Sequence, residues 1–335
     1  MPVNPPPPTS PTAPAETPPL PVGGPDHGAR YIRMGYVFAA VGALLFSTKG
    51  IIIKLAYEDP VDAETLLALR MAMAMPFYIA IGLLSVRDHR KKGEPLPPAG
   101  LVMRALLVGA IGYWFASFTD FLGLEYISAQ FERLILFTYP LFVVIFGAMF
   151  FGQPIRLRVV GAILVSYAGL AIIFTEKATT LGNDAVVGAA LILSAAIAFA
   201  LYQLLAKPLI GAIGPRLFTC IAMSGAALGA FIQFFATHGM ASLAVLGGRT
   251  YLLAFLIAIG ATVLPSFFLN AALQRISAQA NATIGTLSPV MTIALAVLIL
   301  GEPVTLTDIA GTVLVLAGVG WFTLADQAAR RRAGG

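Results

Sequence analysis

The sequence predicts an all-α polytopic membrane protein: ten transmembrane helices arranged as two inverted five-helix repeats. Three observations carry this. The 335 residues are 58% hydrophobic and only 11% charged, with mean hydropathy +0.86, whereas a soluble domain averages about 25% charged residues. A segment repeats 149 residues later: Ile127-Ser128-Ala129-Gln130 recurs as Ile276-Ser277-Ala278-Gln279, Pro140 meets Pro289, Gly152 meets Gly301 and Pro154 meets Pro303. Lysine and arginine segregate to one side of the predicted spans, which supports the count of spans independently.

Residues 1–29 hold eleven prolines and almost no large apolar side chains. Nothing there compensates the entropy of ordering, so a disordered or polyproline II tail is expected. A bilayer core of roughly 30 Å needs about 20 apolar residues per helix. Ten such stretches follow, at 35–57, 64–86, 102–123, 127–150, 157–175, 185–206, 216–237, 251–272, 278–300 and 305–325. The longest predicted loops are 87–101 and 238–250. A basic tail, 326–335, ends the chain. The repeats thus run 35–175 and 185–325.

With ten spans both termini share a side. That side collects fifteen lysines and arginines, including Arg87, Arg90, Lys91, Lys92 and Arg330 to Arg332, against only Lys177 and Arg249 opposite. Both termini are therefore expected in the cytoplasm. Five spans per repeat force the second copy into the bilayer upside down, and inverted repeats commonly enclose a solute site near mid-membrane. The first helix pair also repeats, at an offset of 153: Phe46 and Lys54 match Phe199 and Lys207. Gly225 and Gly229, Ala162, Ser166 and Gly169, and Gly311 and Gly318 mark helix faces that can approach closely; packing within one chain is expected, and a monomer or weak dimer.

The pairs Tyr139-Pro140 with Phe151-Gly152-Gln153-Pro154, and Ser288-Pro289 with Leu300-Gly301-Glu302-Pro303, resemble the closing signature of EamA domains. Phe46-Ser47-Thr48-Lys49 and Leu69-Arg70 resemble that domain's early positions. The chain is thus similar to ten-helix members of the drug/metabolite transporter superfamily, over nearly all of its membrane part. Gln153 departs from the pattern, where an acid is typical. The resemblance implies a transporter of small metabolites, often an exporter of amino acids or related compounds. Nucleotide sugars and nucleobases are alternative cargo, and a channel is the remoter alternative. It places the protein in the cytoplasmic (inner) membrane and gives Pro140 and Pro289 hinge roles.

Charges inside the hydrocarbon layer cost roughly 2.5–3.5 kcal/mol at a helix centre and mark sites or partners. Lys49 is the leading cavity residue, suited to attract an anionic group, beside Thr48; Lys54 snorkels more easily. Arg70 is a candidate gate or substrate contact. Glu132 and Arg133 point about 100° apart on their helix, so one is expected to face the cavity and the other to tie to another helix; Glu132 is expected to neutralise Lys49 or Arg70, or alternatively to couple transport to protons. Asp120 is the second acid, expected near solvent. The second repeat keeps none of these charges, having Tyr202, Met223, Asn281 and Ala282 at the matching positions. Further lining candidates are Trp114, Phe118, Tyr139, Tyr202, Gln203, Asn270, Gln274 and Ser288. Pro140 and Pro289 each remove a helix hydrogen bond. Glu302 is expected to stabilise the start of the last helix.

The partners expected are a small-molecule substrate and the lipid bilayer. The net charge of +5 follows membrane topology, so no nucleic acid is expected. No HExxH, CxxC, Walker or GxSxG pattern is present, and His27, His89 and His238 lie far apart in sequence. No enzyme activity, cofactor or metal is therefore expected. The lone Cys220 excludes an intrachain disulfide.

Overall fold

A computed structural model describes residues 25–151, 157–276, 284–285 and 287–333. Among these residues the regular structure is entirely helical. The first helix is α1, Pro25–Ser47, which begins inside the stretch expected to be a tail. A break at Thr48 separates it from α2, Lys49–Ala56. Then come α3 (Ala63–Lys92) and α4 (Ala99–Gly109), which runs through a π-helical segment, Ala110–Phe115, into α5 (Ala116–Tyr126). After α6 (Ala129–Leu136) come α7 (Tyr139–Phe151), α8 (Leu157–Leu181), α9 (Asn183–Ile213), α10 (Pro215–Thr237) and the short α11 (Ala241–Ala244). Next, α12 (Gly248–Ala258) leads through a second π-helical segment, Ile259–Val263, into α13 (Leu264–Arg275). Finally α14 (Leu287–Leu295) ends in a third, Ala296–Leu300, and α15 (Leu306–Ala333) closes the chain, carrying the helix through the expected basic tail.

Among the described residues, seven helical stretches are long and apolar enough to cross a membrane: Arg30–Ala56, Ala63–Lys92, Ala99–Tyr126, Ala129–Phe150, Asn183–Ile213, Pro215–Thr237 and Gly248–Arg275. Ser288–Leu300 and Leu306–Gly318 are shorter apolar helices. The repeated motifs at Gly152-Gln153-Pro154 and Ser277-Ala278-Gln279 lie outside the described residues. The loop expected at 87–101 is short, because α3 continues to Lys92 and stops only at Gly93, whose φ of 69° terminates the helix without Cβ strain. Asp62 starts the same helix by accepting the Thr65 amide at 2.8 Å.

The internal repeat is visible in the backbone. The first two π-helical segments begin at Ala110 and Ile259, 149 residues apart, the offset of the sequence repeat. Packing obeys the same relation: α1 lies on α13 as α9 lies on α5, and α7 lies on α9 as α14 lies on α1. The two repeats therefore interdigitate along their length instead of meeting at one flat seam. The main buried cluster draws on both repeats, with Leu66, Phe121, Phe218 and Ala254 fully buried in it.

The small residues are packing points within this one chain. A Cβ on Gly109 would fall on the Ala222 backbone, and one on Gly225 on the Leu106 backbone, so α4 and α10 touch main chain to main chain. A Cβ on Gly169 would lie 2.6 Å from the Gly311 carbonyl oxygen, and Ser166 Oγ donates to the Val315 carbonyl at 3.4 Å, joining α8 to α15.

Candidate functional site

Two helix breaks shape the centre of the bundle. Ser47 and Thr48 hydroxyls donate to the Leu44 and Leu45 carbonyls, at 2.5 and 2.7 Å, competing with the helical pattern. The carbonyls freed at the break are taken up from elsewhere: Arg133 Nη2 donates to Phe46 O at 3.2 Å and Thr292 Oγ1 to Ser47 O at 3.0 Å. The second break, at Phe137–Thr138, lies just before Pro140, which has no N–H to offer the Leu136 carbonyl. Both breaks face a cavity of about 110 Å³, enough for a small solute or several waters.

The wall of this cavity is built from matched positions of the two repeats. Phe46 and Lys49 stand opposite their counterparts Phe199 and Tyr202, at the offset of 153. Asp120, Leu136 and Tyr139 stand with Leu269, Gly285 and Ser288, at the offset of 149. The charged member of each charged–neutral pair comes from the first repeat. One flank is aromatic: Tyr113 meets Tyr202 edge-on at 4.8 Å, Tyr202 stacks with Phe199 at 5.8 Å, and Phe199 meets Tyr139 edge-on at 5.0 Å.

Lys49 opens α2 at the break and its Nζ donates to Asp120 Oδ2 at 2.5 Å. Glu132 was expected to neutralise Lys49 or Arg70, and Asp120 to stand near solvent. Both are corrected. Asp120 is 1% exposed, because α5 runs six residues beyond it to Tyr126, about 9 Å of helix. Glu132 instead lies 3.6 Å from Arg133 Nε. Its Oε2 sits where α2 passes close, since a Cβ on Gly50 would lie 3.2 Å from that oxygen. Arg133 therefore combines two duties: it lines the cavity and ties the broken carbonyl of α1.

Of the other residues singled out in the sequence, Tyr139, Tyr202, Gln203, Asn270 and Ser288 line the cavity. Asn270 also donates to Thr219 Oγ1 at 2.6 Å. Thr48, Arg70, Glu132, Trp114, Pro140 and Pro289 lie outside the wall. Trp114 is spent elsewhere: its Nε1 donates to Gln233 Oε1 at 2.8 Å and its ring fills the space left by Gly229. Gln274 is exposed and Phe118 packs against the core. Arg70 stands one layer behind the wall, donating to Ser117 Oγ at 3.3 Å and to the Tyr113 carbonyl at 3.4 Å, over the Phe121 ring. Tyr113, Ser117, Phe137 and Phe199 line the wall without having been named as site residues; of these only Phe199 carried a signal, its match to Phe46.

Glu302 has a partner the sequence did not disclose. Its two carboxylate oxygens accept the Ala129 and Gln130 amides at 2.8 and 3.2 Å, capping α6 across the repeat boundary. His238, at the end of α10, gathers with two acids of the α3 start: Nε2 lies 3.2 Å from Asp62 Oδ2 and Nδ1 3.5 Å from Glu64 Oε2. At the neighbouring corner Arg249 contacts Glu58 at 2.5 Å and Asp59 at 2.8 Å, fastening α12 to the turn after α2.

The comparisons with known proteins agree with this architecture. The chain is 29% identical over 288 residues to a Bacillus subtilis protein named "Uncharacterized transporter YcbK", covering 84% of this chain and 90% of that one. An "Uncharacterized transporter" of Clostridium kluyveri is 23% identical over 86% of this chain and 92% of its own, and one of Archaeoglobus fulgidus 26% identical over 75% and 85%. A solved crystal structure superposes with a TM-score of 0.61 at 17% identity, covering 88% of this chain and 98% of that one, which is a likeness of fold. The profile of the EamA-like transporter family matches twice, at residues 33–175 and 186–324, so two EamA repeats make up the membrane part and the chain belongs to the EamA-like transporter family.

Proposed function

We propose that this transporter carries small zwitterionic, amino-acid-like metabolites across the cytoplasmic membrane by alternating access. The chain crosses ten times, with both termini cytoplasmic and the second repeat inverted. The observation that carries the reading is the cavity wall: matched positions of two repeats face one another across it, and only the first repeat supplies charge. Inverted repeats let one set of contacts close one end of a cavity while their counterparts open the other.

The polar atoms of the wall favour a solute bearing both charges. Arg133 Nε and Ser288 Oγ are buried donors without a hydrogen-bond partner among the described residues, and Asp120 Oδ1 is a buried acceptor without one. Buried polar groups are ordinarily satisfied. A carboxylate would meet the first two and an ammonium the third, leaving the solute's side chain against the Tyr113–Tyr202–Phe199 flank. Export is the direction favoured by kinship. Coupling to protons is assigned to Glu132, which is fully buried with no hydrogen-bond partner on either carboxylate oxygen among the described residues.

The test is counterflow of radiolabelled amino acids into proteoliposomes holding the purified protein. Saturable counterflow, abolished by Arg133→Gln and reduced by Ser288→Ala, supports the reading; wild-type rates in both variants remove the cavity from the route. Topology is tested by labelling single cysteines in a Cys220→Ala background, and labelling of the two termini from opposite faces refutes ten crossings.

A further inference from the structure

We infer that Arg70 forms a binding site for one monovalent anion, separate from the solute contacts and reached through the cavity wall at Ser117. Among the described residues, the charged side chains buried around the cavity are Lys49, Arg70, Arg133, Asp120 and Glu132. Lys49 pairs with Asp120 and Arg133 with Glu132. Arg70 is 2% exposed and has no carboxylate within ion-pair distance among the described residues. Its Nε has no protein partner and its two other bonds, to Ser117 Oγ and the Tyr113 carbonyl, are long at 3.3 and 3.4 Å.

The imbalance survives every way of sharing the acids. Asp120 also interacts with Arg70, but three cations against two acids leave one positive charge however they are divided. A proton taken up by Glu132 enlarges the excess. No missing acid is hidden in the internal stretches outside the described residues, since 152–156, 277–283 and 286 contain neither Asp nor Glu. An uncompensated buried cation costs several kcal/mol in a low-dielectric interior, so a counter-charge must come from solution.

A zwitterion does not supply it, because its net charge is zero. The ligand chemistry is therefore a single negative charge of small size, delivered by a halide or by the carboxylate of an organic monoanion. Ser117 is placed to take part: its oxygen accepts from Arg70, which leaves its own proton free to point into the cavity it lines.

The experiment is thermal unfolding of the purified full-length protein in detergent at neutral pH and constant ionic strength, with a bulky sulfonate exchanged stepwise for chloride, or for benzoate in a second arm. A saturable rise in Tm is expected for the wild type in at least one arm; chloride alone identifies a halide site, benzoate alone a carboxylate site. Arg70→Gln should weaken the response at least about tenfold, the value of one charge-assisted hydrogen bond. Arg70→Lys should retain part of it. If Arg70→Gln does not fold, Ser117→Ala, which leaves the guanidinium in place, should weaken the midpoint severalfold. A wild-type Tm indifferent to both anions, or Arg70→Gln responding as the wild type does, overturns the inference. Neither result depends on amino-acid counterflow, so the two assignments stand or fall separately.

Discussion

The carboxylate of Glu302, in the second repeat, caps the amide of Ala129, in the first, at 2.8 Å. With Gln130 N also on Glu302 and Phe131 N on Ser128 Oγ at 3.2 Å, the first three free amides of α6 are all satisfied. A carboxylate at that end also meets the positive pole of the helix. Glu302→Ala should therefore cost about 1–2 kcal/mol of stability, read as a lower Tm in detergent. Glu302→Gln, which keeps an acceptor but no charge, should recover about half. An unchanged Tm in the alanine variant would mean the cap carries no stability.

The Lys49–Asp120 pair makes a sharper prediction, because both partners are buried. Removing one leaves a charge with no compensation, so Lys49→Ala and Asp120→Ala should each destabilise by roughly 3–5 kcal/mol. Replacing both together, as Lys49→Met with Asp120→Leu, should recover most of that loss, since a buried pair is near neutral against an apolar substitute. A double-mutant cycle on thermal unfolding measures the coupling. Additive losses would show that the two side chains do not depend on each other. Solute binding should be lost in the double variant even where stability returns.

How far the sequence discloses this site follows from what each feature depends on. Composition and the 149-residue offset made the repeat legible, and the structure repeats it in the π-helical segments at Ala110 and Ile259. The residues that carry charge were legible too, because each is costly in lipid. Their partners were not. Lys49 and Asp120 are 71 residues apart, and only the packing of α2 on α5 brings them together. Trp114 reads as a cavity aromatic, yet the absence of a side chain at Gly229 draws its ring away from the wall. Glu302 reads as the start of its own helix, and the helix it caps belongs to the other repeat.

The main-chain contact between α4 and α10 separates two kinds of glycine. Gly225→Val and Gly109→Val each drive a side chain into a facing backbone that cannot retreat, so neither variant should accumulate as folded protein. Gly211 lies inside α9 with open space where a Cβ would go. Gly211→Ala should therefore stabilise by about 0.5–1 kcal/mol, the helix-propensity difference. Expression yield and Tm check both. A folded Gly225→Val protein would contradict the close approach.

The tie between Arg249 and Asp59 has a defined pH dependence. The Thr250 hydroxyl, at 2.8 Å, and the Arg249 guanidinium hold the Asp59 carboxyl below the usual carboxylate range. A group whose value is depressed on folding stabilises fully above its unfolded value of about 3.9 and loses that contribution as pH falls through the folded value. The Tm difference between wild type and Arg249→Gln should thus be constant from about pH 8 to pH 5 and shrink only below about pH 4. Because Asp59 is exposed to solvent in part, rising salt should shrink the difference at neutral pH as well. A difference that collapsed between pH 7 and pH 5 would assign the tie to another titrating group.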